Sequence, residues 1–387
     1  MGVAAALAAC GSDPVTMNNP GTDGAVAETG VVDGGGDTDV TAAVDAGEDP
    51  DVIVTFRPDA SSPMTAIEAP ERAWTWVDFP DTACGNGEPT GIAVNLNPSS
   101  RRVFVFLQGG GGCWDGLLCY GVGSAANLRT GYNATQFAAE RGSLSAAPFF
   151  NRDNMQNPWR DANLVYVPYC TGDIHGGDRI TTYRWGAGVY PTYHVGARNI
   201  EAFLRRLAPT FTNPERVTIM GASAGGFGVG INWERFANAW PGVRVDMIDD
   251  SGPPVQPPAD RWATIRNAWN LQFPAGCTQC AERLDALLEY YATRFPAPTR
   301  MALLSYINDT TIPTYFGQTP QQFGMALEGL AASQITPHAN MRYYFVNGSG
   351  HVLGFNFGNR ATGAPTVGEW LNQMDSDDPT WANVTGR

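Results

Sequence analysis

Gly221-Ala222-Ser223-Ala224-Gly225 is a GxSxG pentapeptide, and a serine so placed can act as a nucleophile. The small residues around it allow a sharp turn from a strand into a helix, which exposes the hydroxyl and aims the helix's first N–H groups at a developing oxyanion. A serine hydroxyl is weakly nucleophilic and needs a base. The chain has four histidines, His175, His194, His338 and His351. In strand–turn–helix serine hydrolases the base comes last in the chain, on a loop past a strand. His351, closing the run Asn347-Gly348-Ser349-Gly350, satisfies both conditions. His338 precedes the same strand, at the end away from the serine, while His175 and His194 could line a cleft. The acid that orients the histidine should lie between Ser223 and His351, after an apolar run. Asp309 and the pair Asp249/Asp250 both qualify, and local sequence leaves the choice open. Gly109-Gly110-Gly111-Gly112 can bring backbone N–H groups close to a substrate oxygen. A phosphate-cradling loop would need GK[ST] or GxGxxG, and neither is present. The chemistry is acyl transfer through a covalent intermediate, with no metal or organic cofactor implied.

These residues work together only if secondary structure carries them to one place. Apolar runs at 102–107, 164–169, 217–220, 243–248, 301–307 and 343–346 predict strands buried on both faces. Helical patterns at 197–207, 225–240, 281–295 and 321–332 lie between them. The alternation predicts an α/β fold of the α/β-hydrolase type, a mostly parallel central sheet with helices on both faces. Residues 71–387 show no internal linker and no fixed-period repeat, so they read as one esterase domain.

Ahead of that domain the composition changes. Residues 11–70 hold twelve acids against the single base Arg57, a net of −11 out of −14 for the whole chain. With so few apolar residues this segment reads as a disordered acidic linker. Within it Asp37, Asp39, Thr41, Asp45 and Glu48 have calcium-loop spacing, but Ala42 stands where that loop needs glycine, so they read as solvated linker. Leu7-Ala8-Ala9-Cys10 resembles the lipobox of bacterial lipoproteins, which makes residues 1–10 a lipoprotein signal with Cys10 as the lipidation site. The expected location is the bacterial cell envelope, with membrane contact only through that lipid. The acidic balance and the lack of a basic run exclude nucleic acid as a partner. No signal for an oligomeric state is present.

Beyond Cys10 six cysteines remain, an even number that in an exported chain predicts three disulfides. Cys277 and Cys280 lack a second ligand pair at zinc spacing and predict a local bridge. Four blocks, LQGGGGCWD at 107–115, VPYC at 167–170, GASAGG at 221–226 and DSG at 250–252, together resemble the pectin acetylesterases of plants and bacteria, grouped with the carboxylesterase Notum. The resemblance spans roughly residues 75–360. It implies Ser223 as nucleophile, His351 as base and Asp309, rather than Asp250, as the acid. It also implies oxyanion donors at the backbones of Gly111, Gly112 and Ala224, and bridges joining Cys113 to Cys119 and Cys84 to Cys170. One position departs: Gly112 stands where the family has a bulky tryptophan, which is expected to open the entrance and remove apolar surface that could grip a long acyl chain, so short, acetyl-type esters should be preferred.

The expected protein is a lipid-tethered serine carboxylesterase that hydrolyses short acyl esters of an extracellular polysaccharide or other external ester. The alternative is a non-catalytic surface lipoprotein that binds envelope or extracellular polysaccharide with the same fold. A complete Ser, Asp and His set argues for the enzyme, because a binding module has no use for all three.

Overall fold

Along the strand β3 (Arg102–Leu107) successive side chains enter opposite cores: Val103, Val105 and Leu107 on one side, Phe104 and Phe106 on the other. This is the period-two geometry of a strand covered on both faces. It holds across the sheet in a computed structural model that describes residues 65–386. The sheet has nine strands in the order β1-β2-β4-β3-β7-β8-β9-β10-β11. β1 (Thr75–Phe79), β2 (Thr90–Asn95) and β4 (Asn163–Val167) pair antiparallel at one side. From β4 onward, through β3, β7 (Arg216–Ala222), β8 (Arg244–Asp250), β9 (Met301–Tyr306), β10 (Met341–Val346) and β11 (Val384–Thr385), all pairs are parallel. The C-terminal ends of β3, β7, β8, β9 and β10 therefore share one rim, and the loops leaving them meet there.

Helices cover both faces. α2 (Gly196–Thr210) buries Ile200, Phe203, Leu204 and Leu207, the i, i+3, i+4, i+7 stripe of an amphipathic helix. α3 (Ala224–Ala239), α4 (Ala259–Trp269), α5 (Ala286–Arg294) and α7 (Pro320–Leu330) join it on the Val103 side, with the short α6 (Ile312–Phe316) near the rim. α1 (Ala134–Ala146) and α8 (Val367–Asp375) cover the Phe104 side. Trp233 of α3 is fully buried and its indole N–H donates to the Val245 carbonyl at 2.8 Å, pinning α3 to β8. Burying a side chain of that size contributes roughly 2 to 3 kcal/mol, so Trp233→Ala should loosen the α3 register that follows Ser223.

The expected strands are all present, most with shifted ends: β7 and β10 begin earlier, β7 and β8 run two residues further, and β4 and β9 stop two residues and one residue sooner. The segment 281–295 is helical only over Ala286–Arg294, because turns follow the Cys277–Cys280 bridge. Sequence patterning did not reveal β1, β2, β11, α1, α4, α6, α8 or the hairpin β5 (Arg179–Trp185) with β6 (Gly188–His194). The hairpin is half-exposed and polar, so it carries no apolar run to detect. The three disulfides are Cys84–Cys170, Cys113–Cys119 and Cys277–Cys280. Ile67, inside the segment read as linker, is buried in the core, and its N–H donates to Thr210 Oγ1 at 2.7 Å. The packed domain thus includes residues ahead of 71. Cys10 and residues 11–64 lie outside the described residues. No helix among the described residues is long and apolar enough to cross a membrane.

Candidate active site

β7 ends at Ala222, and α3 begins at Ala224. The single residue between them, Ser223, adopts φ 56° and ψ −119°, a conformation that L-residues rarely take. The turn is so tight that a Cβ on Gly221 would lie 2.0 Å from the Gly225 carbonyl oxygen, and one on Gly225 would lie 2.0 Å from that of Leu107. Both glycines of the pentapeptide are therefore steric requirements of the turn. Such strain costs of order 1 to 3 kcal/mol and is kept only where the surroundings hold it. Here the Ser223 N–H donates to the Asp250 carbonyl at 2.7 Å, at the end of the neighbouring strand.

Asp309 follows β9 and is fully buried. One carboxylate oxygen accepts the N–H groups of Thr311 at 2.7 Å and Ile312 at 3.1 Å. The other lies 2.7 Å from Nδ1 of His351, on the loop after β10. A carboxylate oxygen can only accept, so Nδ1 carries the proton and Nε2 is the basic nitrogen. Nε2 is buried and makes no hydrogen bond. A buried polar atom without a partner is uncommon, and at a strand-end rim it fits a group that exchanges a proton with a substrate or nucleophile.

Asp250, the other acid open from sequence, has different partners. Its carboxylate accepts the N–H groups of Leu353 at 2.9 Å and Gly354 at 2.7 Å, and Ser251 Oγ lies 3.1 Å away. Ser251 Oγ in turn accepts the Val352 N–H at 3.2 Å. Asp250 thus ties the loop just after His351, through its carboxylate, to the Ser223 N–H, which its own carbonyl accepts. Burial raises its carboxyl above the usual range, against the pull of the Leu353 and Gly354 N–H groups.

The glycine run leaves β3 beside this turn. Gly111 has φ 75°, and a Cβ there would lie 2.1 Å from the Ser124 carbonyl oxygen. The run is braced from outside by Ser124 Oγ on the Gly112 carbonyl at 2.8 Å and His175 Nε2 on the Gln108 carbonyl at 2.8 Å. Gly111, Gly112, Ser223 and Ala224 together line one cavity. Its remaining wall is apolar, led by Trp262, Ile265 and Trp269 of α4, with Trp114, Tyr315 and Phe316. The space open to the centre of a water molecule is about 40 Å³.

Ser223, Asp309, His351 and the three proposed oxyanion donors therefore gather at one rim. His175 and His194, which could have lined a cleft, are buried and engaged: His194 Nδ1 faces the Thr171 carbonyl at 2.8 Å and its Nε2 the Tyr183 hydroxyl at 2.9 Å. His338 is half-buried before β10. Among the described residues no group of three or more His, Cys, Asp or Glu could hold a metal ion. Sequence reasoning missed the α4 wall, although Trp262, Ile265 and Trp269 at i, i+3 and i+7 carry a helical period. Tyr315 and Phe316 sit on a helix of one turn and give no periodic signal.

Residues 68–268 match the family described as Pectinacetylesterase. Similar curated proteins include palmitoleoyl-protein carboxylesterase NOTUM of Homo sapiens, 29% identical over 177 residues, which is 44% of this chain and 34% of that protein. Palmitoleoyl-protein carboxylesterase notum1' of Xenopus laevis is 28% identical over 176 residues, 44% of this chain and 34% of that one. The chain thus spans about a third of the length of these relatives. An inactive palmitoleoyl-protein carboxylesterase notum1b of Danio rerio is 33% identical over 118 residues, 30% of this chain and 76% of that protein. Among solved structures, the Wnt deacylase Notum from Drosophila shares the fold with a TM-score of 0.60 and 19% identity, covering 82% of this chain and 97% of that one.

Proposed function

The chain belongs to the pectinacetylesterase family, and from that premise we propose that it is a serine carboxylesterase hydrolysing short, acetyl-type acyl esters of an extracellular polysaccharide or another external ester. The observation that carries this reading is the buried His351–Asp309 pair at 2.7 Å, with Nε2 unpaired, on the rim that presents Ser223. Ser223 Oγ attacks the acyl carbonyl and its proton passes to His351 Nε2. Asp309 holds the ring through Nδ1 and stabilises the imidazolium that forms. The N–H groups of Gly111, Gly112 and Ala224 receive the oxyanion. The alcohol leaves with the proton from Nε2, and water, activated by the same nitrogen, releases the acid from Ser223.

The narrow cavity supports a short acyl group. About 40 Å³ accommodates roughly three water-sized centres, given 10 to 15 Å³ for each. The proposal includes lipidation at Cys10 and a place on the bacterial cell envelope, which the lipobox-like LAAC motif supports. A Cys10→Ala protein that still partitions with membranes would overturn that part.

Labelling by a fluorophosphonate at Ser223, together with hydrolysis of acetylated polysaccharide or p-nitrophenyl acetate, tests the catalytic reading. The non-catalytic alternative, for which the inactive Danio rerio relative is a precedent, predicts neither labelling nor turnover.

A further inference from the structure

Trp269, the last residue of α4, is a wall residue of the cavity that also touches the oxyanion loop. Its indole is buried, and Nε1–H donates to the Cys113 carbonyl at 2.7 Å, one residue past Gly112. Trp114 packs edge-on against it with ring centroids 6.0 Å apart. The ring is thus held in place by the loop that presents Gly111 and Gly112.

Gly112 is not in a left-handed conformation, so its backbone would accept any L-residue. The obstacle to a side chain there is Trp269: a Cβ on Gly112 would lie 3.2 Å from Cη2 and 3.3 Å from Cζ2 of the indole, and 3.5 Å from the Gly172 carbonyl oxygen. The two positions share one volume, left empty by residue 112 and filled by residue 269. Ser223, Gly111 and Gly112 line this same cavity, which makes it the space open to an acyl group carried on Ser223.

We propose that Trp269 is the specificity-determining residue for acyl length, its indole closing the cavity beside Gly112 to chains longer than a few carbons. The proposal rests on the esterase reading of Ser223. Removing the indole opens the space next to the reacting carbonyl, and an added methyl at residue 112 narrows it further.

Two series test it: kcat/KM for p-nitrophenyl esters from acetyl to dodecanoyl, and calorimetric affinity of the matching fatty acids for each variant carrying Ser223→Ala. The unaltered protein is expected to favour acetyl to butyryl. Trp269→Ala should raise the octanoyl-to-acetyl ratio at least tenfold, with the same shift in the affinity series. Trp269→Phe, which keeps most of the ring but loses the hydrogen bond to Cys113, should retain the short-chain profile with a lower kcat. Gly112→Ala should lower the butyryl-to-acetyl ratio, and it decides the matter if Trp269→Ala does not fold. An unchanged profile in folded Trp269→Ala, or in Gly112→Ala, overturns the proposal. If the unaltered protein hydrolyses no ester, the catalytic reading fails while the affinity series still decides the role of Trp269.

Discussion

Two buried regions of the molecule hold histidine near aspartate, and only one of them joins the two side chains. Beneath the loop 171–178, His194 uses both ring nitrogens on fixed partners, and His175 Nε2 donates to the Gln108 carbonyl. Asp173 accepts from the Thr171 hydroxyl and from the N–H groups of Gly177 and Gly196. At the rim, Asp309 satisfies one side of His351 and leaves Nε2 buried without a partner. Burial and a neighbouring acid are common to both regions, so neither identifies chemistry by itself. The unmatched atom separates His194 from His351: His194, bonded on both sides, stabilises the fold, while His351, held by an acid at Nδ1 with Nε2 buried and unpartnered, is positioned to accept a proton.

Breaking the rim should have the largest effect. Ser223→Ala and His351→Ala are each expected to lower kcat by about 10⁵ to 10⁶, with the melting temperature near that of the parent, as measured by ester hydrolysis and thermal unfolding. A residual rate within a hundredfold of the parent would remove His351 from the role of base.

Asp309→Asn should follow, at roughly 10³ to 10⁴ in kcat, because the amide no longer enforces the proton on Nδ1. Asp250→Asn is expected to cost less in kcat and more in stability, about 1 to 3 kcal/mol by urea unfolding, since an amide NH₂ would face the Leu353 or Gly354 N–H. If Asp250→Asn proves worse for kcat in a folded protein, the acid is Asp250.

On the interior side, His194→Phe should destabilise by about 3 kcal/mol through the orphaned Thr171 carbonyl and Tyr183 hydroxyl, seen as a lower urea midpoint. The smallest expected effect is with pH. Burial pushes His175 and His194 down to about 4. The stability they contribute is complete above their unfolded value of 6.5 and is lost as pH falls towards 4. Burial pushes Asp173 up to about 6 from 3.8, so its contribution is complete below 3.8 and is lost as pH rises through 6, which opposes the histidines. The two histidine contributions outweigh that of Asp173, so the net of these three groups is a loss of stability between pH 7 and pH 4.5, measurable as a fall in the urea midpoint. No fall in that window would mean that the two histidines are not held neutral.

How much of this was legible in the sequence depends on how local the physics is. The parallel strands β3, β4, β7, β8, β9 and β10 were readable because burial on both faces demands unbroken apolar runs, and the GxSxG turn because its close contacts admit only glycine at both ends. β5 and β6 were not, because a half-exposed hairpin has no such demand. α4 had a helical period in Trp262, Ile265 and Trp269, but nothing local assigns that face to a cavity rather than to the core.

The sequence by itself determined a strand–turn–helix around Ser223, a flexible glycine loop, a late histidine and two acids at equivalent strand ends. Asp250 and Asp309 each follow a buried strand, and only the tertiary structure separated their partners. The loop after β10 lays His351 over the end of β9 and its own backbone over the end of β8. The pairing of His351 with Asp309, to which the family resemblance pointed, and the Trp269 indole beside Gly112 are contacts between segments tens to more than a hundred residues apart, which no local pattern encodes.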